Sequence, residues 1–253
     1  MSHCKNSRIV VLKLGGSVLS NQESYGHAAR FLVRRLHQCS RERLLVVVSA
    51  QYGHTEELEI LARSVTDLPS RRTLDLLWPI GEIRSVALLA LHLEALGIAV
   101  VGLNAHETGL RFGESVTGDH QLKPLATDLQ QAFVESSIVV VPGFFATQDG
   151  MLVSLGRGGS DLSAVVLADE LDADGCELIK DVGGYFDRDP NADGNALHLP
   201  NVSYKRALAM AEAGCDLVQP QALETARRSS LRLVIRSFDD HASSSVVSED
   251  GNG

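Results

Sequence analysis

Gly156-Arg157-Gly158-Gly159-Ser160-Asp161, running directly into the apolar residues 162–171, carries the plainest chemistry in the chain. Glycines there let the backbone approach a ligand and adopt positive φ. Ser160 or Asp161 is placed to cap the helix that follows, and the free N–H groups of its first turn favour an anion. Arg157 adds a planar, two-pronged donor for a carboxylate or phosphate. Asp161 adds an acceptor for an ammonium, or a group that orients neighbouring lysines. A tight turn before an ordinary helix would use the glycines alike, but Arg157 and Asp161 beside them favour a ligand site.

A second cluster closes the first apolar run: Lys13-Leu14-Gly15-Gly16-Ser17. Lys13 is a mobile positive point charge, and the Gly15 and Gly16 amides can face an oxyanion. Two further segments close apolar runs in the same way, Ser49-Ala-Gln-Tyr-Gly-His-Thr55 and Asp181-Val-Gly-Gly184. Glycine after a strand is common in α/β proteins, so no single one of these is specific. Their recurrence with Lys, Arg and Asp points to a cleft that handles phosphate.

These segments need a scaffold that brings strand ends together. Residues 9–14, 44–49, 98–103, 138–141, 176–180 and 231–235 read as buried strands, and residues 26–39, 55–65 and 73–96 as helices. Another helix follows Asp161, and one more opens at Ser203 and closes at Gly214. Gln148-Asp149-Gly150 signals a hairpin between short strands. Continuous apolar strands separated by helices predict a mostly parallel sheet covered on both faces, with ligands outside the carboxyl ends of its strands. The polar residues 239–253 read as a frayed tail too short and polar to bury a core of its own.

Composition narrows the function. A net charge of −9 with no basic run gives no signal for nucleic acid. Cys4, Cys39, Cys176 and Cys215 lie far apart, the nine histidines are scattered, and neither type shows metal-ligand spacing. Reduced thiols, an N-terminus without a signal-peptide pattern, and no apolar run long enough for a bilayer predict a cytoplasmic protein without membrane or metal sites of its own.

The motifs together resemble the amino acid kinase family, and within it the catalytic domain of aspartate kinases. Those enzymes show K-F-G-G-[TS], V-V-S-A-M-G-G-T-T, a helical G-E, G-R-G-G-S-D-T-[TS]-A and T-D-V-D-G-[VI]-Y-T-[AT]-D-P. Here the counterparts are Lys13-Leu-Gly-Gly-Ser17, Val47-Val-Ser-Ala-Gln-Tyr-Gly-His-Thr55, Gly81-Glu82, residues 156–164, and Lys180-Asp-Val-Gly-Gly-Tyr-Phe-Asp-Arg-Asp-Pro190. The order holds from about residue 9 to 238.

The resemblance implies one domain over residues 1–238, a three-layer αβα sandwich with an acceptor lobe to about residue 145 and a nucleotide lobe after it. It implies ATP and Mg²⁺, transfer of the γ-phosphoryl to a small carboxylate such as aspartate, and a homodimer. Lys13 would neutralise the transferring phosphoryl and Asp161 would orient a lysine or an ammonium. Gly15, Gly16, Ser17, Ser49, Glu82, Arg157, Gly158 and Ser160 would serve the acceptor, with Glu82 and Arg157 on its ammonium and carboxylate. Lys180, Asp181, Gly184, Phe186, Asp189, Pro190 and Asp216 would line the nucleotide.

Departures from the pattern keep two other readings open: a kinase for another carboxylate or phosphate-bearing acceptor, and a non-catalytic binding paralogue. Asp216 stands where the family's G-A-K-V-L-H-P-R carries a lysine for the nucleotide phosphates, with Lys180 or Lys205 as candidate substitutes. Gln51-Tyr52 replaces Met-Gly, which would set a bulky ring where a backbone approach is expected. Gly109-Leu-Arg-Phe-Gly113 replaces G-[IV]-x-T-D, and Pro79-Ile80 precedes Gly81-Glu82. Aspartate kinases usually continue into ACT domains; the polar end of this sequence leads us to expect none, and no lysine or threonine inhibition through them.

Overall fold

Strand parity sets the layers of the molecule. The computed structural model describes residues 8–39, 41–114, 120–123, 126–156, 158–239 and 242–251. Strand β1 (Arg8–Leu14) lies between two parallel neighbours, β2 (Glu42–Val48) and β9 (Gly175–Ile179), with Lys13 opposite Val47 on one side and Leu178 on the other. Val10, Leu12 and Leu14 therefore face one way with Leu44, Val46 and Val48, while Val11 faces the other way with Leu45 and Val47.

Helices cover both apolar faces. α1 (Gln22–Gln38) and α4 (Pro79–Ala95) pack on the Leu12 face through Tyr25, Phe31, Leu32, Leu89 and Leu93. α5 (Ala126–Glu135), α6 (Gly159–Glu170), α7 (Tyr204–Glu212) and α8 (Pro220–Arg228) pack on the Val11 face, with Leu129, Val165, Ala207 and Leu223 among the buried residues. Each fully buried leucine contributes roughly 1.5–3 kcal/mol. The three-layer αβα arrangement is the one expected.

The main sheet continues from β2 through β6 (Ile138–Pro142) to β3 (Val100–Gly102), all parallel. On the other side β9 pairs with β13 (Leu233–Arg236), also in parallel. Beyond β13 come β14 (Ser245–Ser248), antiparallel to it, and β12 (Asn201–Ser203) at the edge. The chain leaves β1 toward β2 and returns to its opposite side as β9, so the order reverses at β1. The crevice for a ligand opens at such a point, outside the carboxyl ends of the strands.

A smaller sheet, β5 (His120–Lys123), β4 (Arg111–Glu114), β7 (Phe145–Gln148) and β8 (Met151–Ser154), leans on α3 (Arg71–Leu77), while β10 (Tyr185–Phe186) and β11 (His198–Leu199) form a ribbon. The β7–β8 hairpin turns on Asp149 and Gly150, φ 50° and 76°, the two positive values of a type I′ turn. α2 (His54–Val65) buries none of its residues.

Several expectations are corrected. The helix read over 73–96 divides into α3 and α4 at Trp78, which keeps helical φ and ψ of −59° and −36°, because Pro79 has no N–H for the ladder and opens α4. α1 begins at Gln22, four residues earlier than read, on a capping box between Asn21 and Ser24. The stretch from Asp239, read as a frayed tail, contains β14, held on both sides by β13 and β12. The helical run 71–95 is long and apolar enough to cross a bilayer, contrary to the sequence reading. Its buried Glu82, Ser85, Leu89 and Leu93, packed on α1 and the sheet, make it a core helix. Ser203 caps α7 as expected, by accepting from the Arg206 N–H.

Candidate active site

Parity places two lysines on one point. Lys13 follows Val11 by two residues and Lys180 follows Leu178 by two, so both extend from the face that α6 covers. Asp161 stands in the first turn of α6 and meets both. Lys13 Nζ lies 2.7 Å from Asp161 Oδ1, close in distance though not aligned as a hydrogen bond, and Lys180 Nζ donates to Oδ2 at 2.8 Å. Lys13 and Asp161 are 6% and 3% exposed, so this is a buried centre with two ammonium groups and one carboxylate. Its net charge is positive when all three are ionised.

The electrostatics follow from burial and proximity. Desolvation, with Lys180 nearby, brings Lys13 down to about 8 despite Asp161. Burial alone would raise Asp161, but Lys13 and Lys180 outweigh it and hold the carboxyl at about 2. The cluster thus carries an excess cation that can neutralise anionic charge in a dry site, where such charge is otherwise costly.

Gly15 borders this centre, and Gly16 lies against the chain leaving β2. A Cβ on Gly15 would sit 3.3 Å from Lys13 Nζ, and one on Gly16 would sit 3.0 Å from Ala50 O. Ser17 donates to Asp181 across the crevice at 3.2 Å, so the ends of β1 and β9 are joined on the solvent side as well. Ser49 closes β2 onto β1, its N–H donating to Leu14 O at 3.1 Å.

The loop before α6 is built by glycine. Gly156 and Gly158 have φ of 82° and 73°, and Gly158 is the N-cap residue, with no side chain capping the helix. This corrects the expectation that Ser160 or Asp161 caps it; both lie inside the first turn, and Asp161 is thereby free to hold the lysines. Arg157 lies outside the described residues. Gln219, just before α8, occupies the space that a side chain on Gly158 would need. Gly143, after β6, was missed by sequence reasoning. A Cβ there would come within 2.7 Å of Ser160 Cβ, so the start of α6 rests directly on this glycine. The Pro142-Gly143 pair ending a buried strand was the available signal.

Glu82, four residues into α4, is 4% exposed. Its Oε1 accepts from the Ala50 N–H at 3.2 Å, and its Oε2 has no partner among the described residues. Burial pushes this carboxyl up to about 7, against the opposing hydrogen bond from Ala50. Gly81 must be glycine here, since a Cβ would meet Ala50 Cβ at 2.8 Å. The bulky Tyr52 does not fill the crevice: it is 72% exposed, while its N–H donates to Leu19 O and its backbone lies beside Gly16. The expected backbone approach at this position is kept and the ring turns outward.

On the other side, Gly184 has φ 126° and packs against Ser245, whose Oγ accepts from Tyr185 N–H at 2.7 Å. Phe186 stacks edge-on to His198. Asp189 and Pro190 lie in the loop between β10 and β11, where Asp189 accepts from Asn191 N–H at 2.9 Å. Asp189 is exposed, as is Lys205, and Asp216 is exposed too. Of the two candidate substitutes for the missing lysine, Lys180 reaches the buried centre. Among the described residues, the ion pairs of that centre join Lys13, Lys180 and Asp161, and leave Asp189, Asp216 and Lys205 outside it.

Known proteins share both sequence and fold. The aspartokinase of Geobacillus stearothermophilus is 33% identical over 244 residues, covering 96% of this chain and 59% of that protein. The chain thus spans about three fifths of its length. The crystal structure of the aspartate kinase from Synechocystis superposes with a TM-score of 0.81 at 30% identity, over 97% of this chain and 40% of the other. The E. coli aspartokinase III in complex with aspartate and ADP shares the fold at a TM-score of 0.78 and 22% identity, over 97% and 65% of the two chains. The family described as the amino acid kinase family matches residues 8–237. With that match spanning the sheet from β1 to β13 and the crevice at its reversal point, the chain belongs to the amino acid kinase family.

Proposed function

We propose that this chain is an ATP-dependent kinase domain that phosphorylates the side-chain carboxylate of aspartate. The observation that carries the reading is the buried Lys13–Asp161–Lys180 cluster, with one positive charge in excess at the reversal point of the sheet. A carboxylate acceptor is already a nucleophile at neutral pH, so no general base is needed. An acceptor oxygen attacks the γ-phosphorus, the bond to the ADP oxygen breaks, and an acyl phosphate and ADP leave. Catalysis then rests on positioning and charge neutralisation.

Lys13 is the group for the transferring phosphoryl, flanked by the Gly15 and Gly16 amides. Asp161 holds both lysines in place without cancelling their combined charge. Glu82 offers the open Oε2 to the ammonium of the amino acid, with Arg157 for its carboxylate and Ser17, Ser49, Gly158 and Ser160 around them. Asp181, Gly184, Phe186, Asp189 and Pro190 form the nucleotide side, and Lys180 supplies the cation that Asp216 does not. Mg²⁺ enters with ATP as the counterion of its phosphates. The aspartokinase matches support aspartate over another carboxylate, and the inward Lys180 favours a working enzyme over a silent paralogue. The reading also carries a homodimer, for which exposed Ile60, Val65 and Leu68 supply apolar surface, and a cytoplasmic setting consistent with the free thiols of Cys39, Cys176 and Cys215.

ADP release, followed with aspartate, glutamate and UMP as acceptors, tests the proposal. Aspartate should be turned over best, and Lys13→Ala should lower kcat by about a thousandfold, the scale of losing one preorganised transition-state contact. Absence of aspartate-dependent turnover, or normal turnover by Lys13→Ala, would overturn it.

A further inference from the structure

One face of the α3–α4 run carries Arg71, Asp75, Trp78 and Glu82 at helical spacing. Glu82 belongs to the site described above; the other three do not, yet they are tied to the loop that begins α6. Asp75 is 6% exposed although it is a carboxylate. Its Oδ1 accepts from the Ser154 N–H at 3.2 Å and from Ser154 Oγ at 2.7 Å, and Arg71 Nε donates to it at 3.1 Å. Arg71 also donates to Ser154 O at 3.0 Å and to Ser154 Oγ. Every polar group of Ser154 is thus held by this one helical pair.

Ser154 is the last residue of β8, and the glycine loop starts two residues on. Leu155, next along, donates its N–H to Phe144 O at 2.8 Å and sits against Gly159, whose Cβ would come within 2.7 Å of Leu155 Cβ. Phe144 closes the circuit. It follows Gly143, has φ 71°, and meets Trp78 edge-on with ring centroids 6.2 Å apart. Arg71 stacks on that same indole at 5.2 Å. The helix bearing Glu82, the strand feeding the glycine loop, and the glycine under Ser160 are therefore locked together through Asp75 and Trp78.

We propose that Asp75 is a positioning residue for the acceptor half of the site: through Ser154 it fixes the glycine loop at its distance from Glu82. The inference rests on the proposed kinase reading for its catalytic consequence, though not for the clamp itself. A carboxylate on a short helix with one neighbouring cation would ordinarily turn to solvent. Here it is buried, and two of its acceptor contacts go to a single strand-end residue. An acceptor held at one end by Glu82 and at the other by the loop feels any change in that spacing, whereas the nucleotide side is set by β9, β10 and β14.

The test compares wild type with Asp75→Ala and Asp75→Asn. Initial rates are measured with aspartate titrated at saturating Mg·ATP, and with ATP titrated at saturating aspartate. Asp75→Ala should raise KM for aspartate about tenfold or more with KM for ATP within about twofold, and Asp75→Asn should fall between. A purely structural residue would lower thermal stability and the active fraction, moving kcat alone; that result, or equal rises in both KM values, overturns the proposal. Hydrogen exchange of the unliganded proteins is the second arm. Amides of residues 152–161 should exchange about tenfold faster in Asp75→Ala while β1 and β2 keep their protection; unchanged exchange in 152–161 also overturns it. If Asp75→Ala does not fold, Ser154→Ala, which removes only the hydroxyl, is read against the same two criteria. If wild type does not phosphorylate aspartate, the functional reading fails and the exchange arm alone decides the clamp.

Discussion

Glu82 and Lys13 are both buried and both pulled toward neutrality, from opposite directions. Burial lifts Glu82 to about 7 and brings Lys13 down to about 8. The proposed chemistry needs Glu82 as carboxylate and Lys13 as ammonium, so kcat/KM for the acceptor should be bell-shaped, falling below about pH 7 and above about pH 8. The stability sign for Glu82 is separate. Its folded value lies above its ordinary 4.5, so the folded state holds the extra proton between the two. The contribution is fully present below 4.5 and is lost as pH rises through 7. Glu82→Gln should therefore be more stable than wild type at pH 8, by about 3 kcal/mol, and close to it at pH 4. The same change should lower kcat/KM at pH 8 about tenfold or more and erase the acidic limb. Thermal melts and pH profiles of the two proteins check both signs; an unchanged acidic limb would remove Glu82 from the acceptor site. Lys13 and Asp161 stand out in the sequence as charges beside glycine clusters, whereas Glu82 stands out only as the counterpart of the family's helical G-E. The pairing of Lys180 with Asp161 is not legible in the sequence, since it depends on β9 lying beside β1 in one register.

Elements were legible where local chemistry decides them and illegible where partners do. The β7–β8 hairpin was written in Asp149-Gly150, and the opening of α7 in Ser203. β1, β2 and β6 were written in their continuous apolar runs. β4 and β5 are short and polar and exist through pairing with each other and with β7, so sequence alone did not mark them. The start of α6 lies between these cases: its glycines announce a tight approach, but not the glycine across from them. Gly143 has ordinary φ, so its importance is steric alone, and Gly143→Ala isolates it. The added methyl would meet Ser160 Cβ at 2.7 Å and Cα at 2.9 Å and must push the first turn of α6, with Asp161, off the lysines. The expected result is at least a tenfold fall in kcat, with far-UV circular dichroism unchanged. Unchanged kcat would show that α6 can shift without cost to the site.

At the scale of the whole molecule, the proposed nucleotide side depends on a strand that the sequence concealed. Ser245-Val-Val-Ser248 is four residues in a Ser-rich, Asp-rich stretch, and its strand character comes from two neighbours rather than from its own propensity. β12 has β14 as its partner in the main sheet, and β14 closes the unpaired edge of β13. Ser245 ties this margin to the crevice: its Oγ accepts from Tyr185 N–H at 2.7 Å and donates to Leu199 O at 2.6 Å, and Gly184 leaves it room. This hydroxyl and the Val246 N–H, which donates to Pro200 O at 2.9 Å, fasten the β10–β11 ribbon, and with it the loop carrying Asp189 and Pro190, to β14. Ending the chain after Asp239 should therefore act at a distance. The Arg35 bridge to Glu42 and Glu177, at 2.7 and 2.8 Å, and the packing of α1 and α4 remain, so the β1–β2–β6 half should stay folded. Mg·ATP affinity should drop at least tenfold, because the ribbon loses its anchor while Lys13 and Asp161 stay in place. Ser245→Ala, which keeps the strand and removes the hydroxyl, should lose less, about threefold, in line with one or two hydrogen bonds of modest net worth. Calorimetric titration of nucleotide into the three proteins distinguishes them. Equal affinity in the 253-residue and shortened chains would mean that the ribbon holds its place without β14, and that the proposed nucleotide side is built from β9 alone.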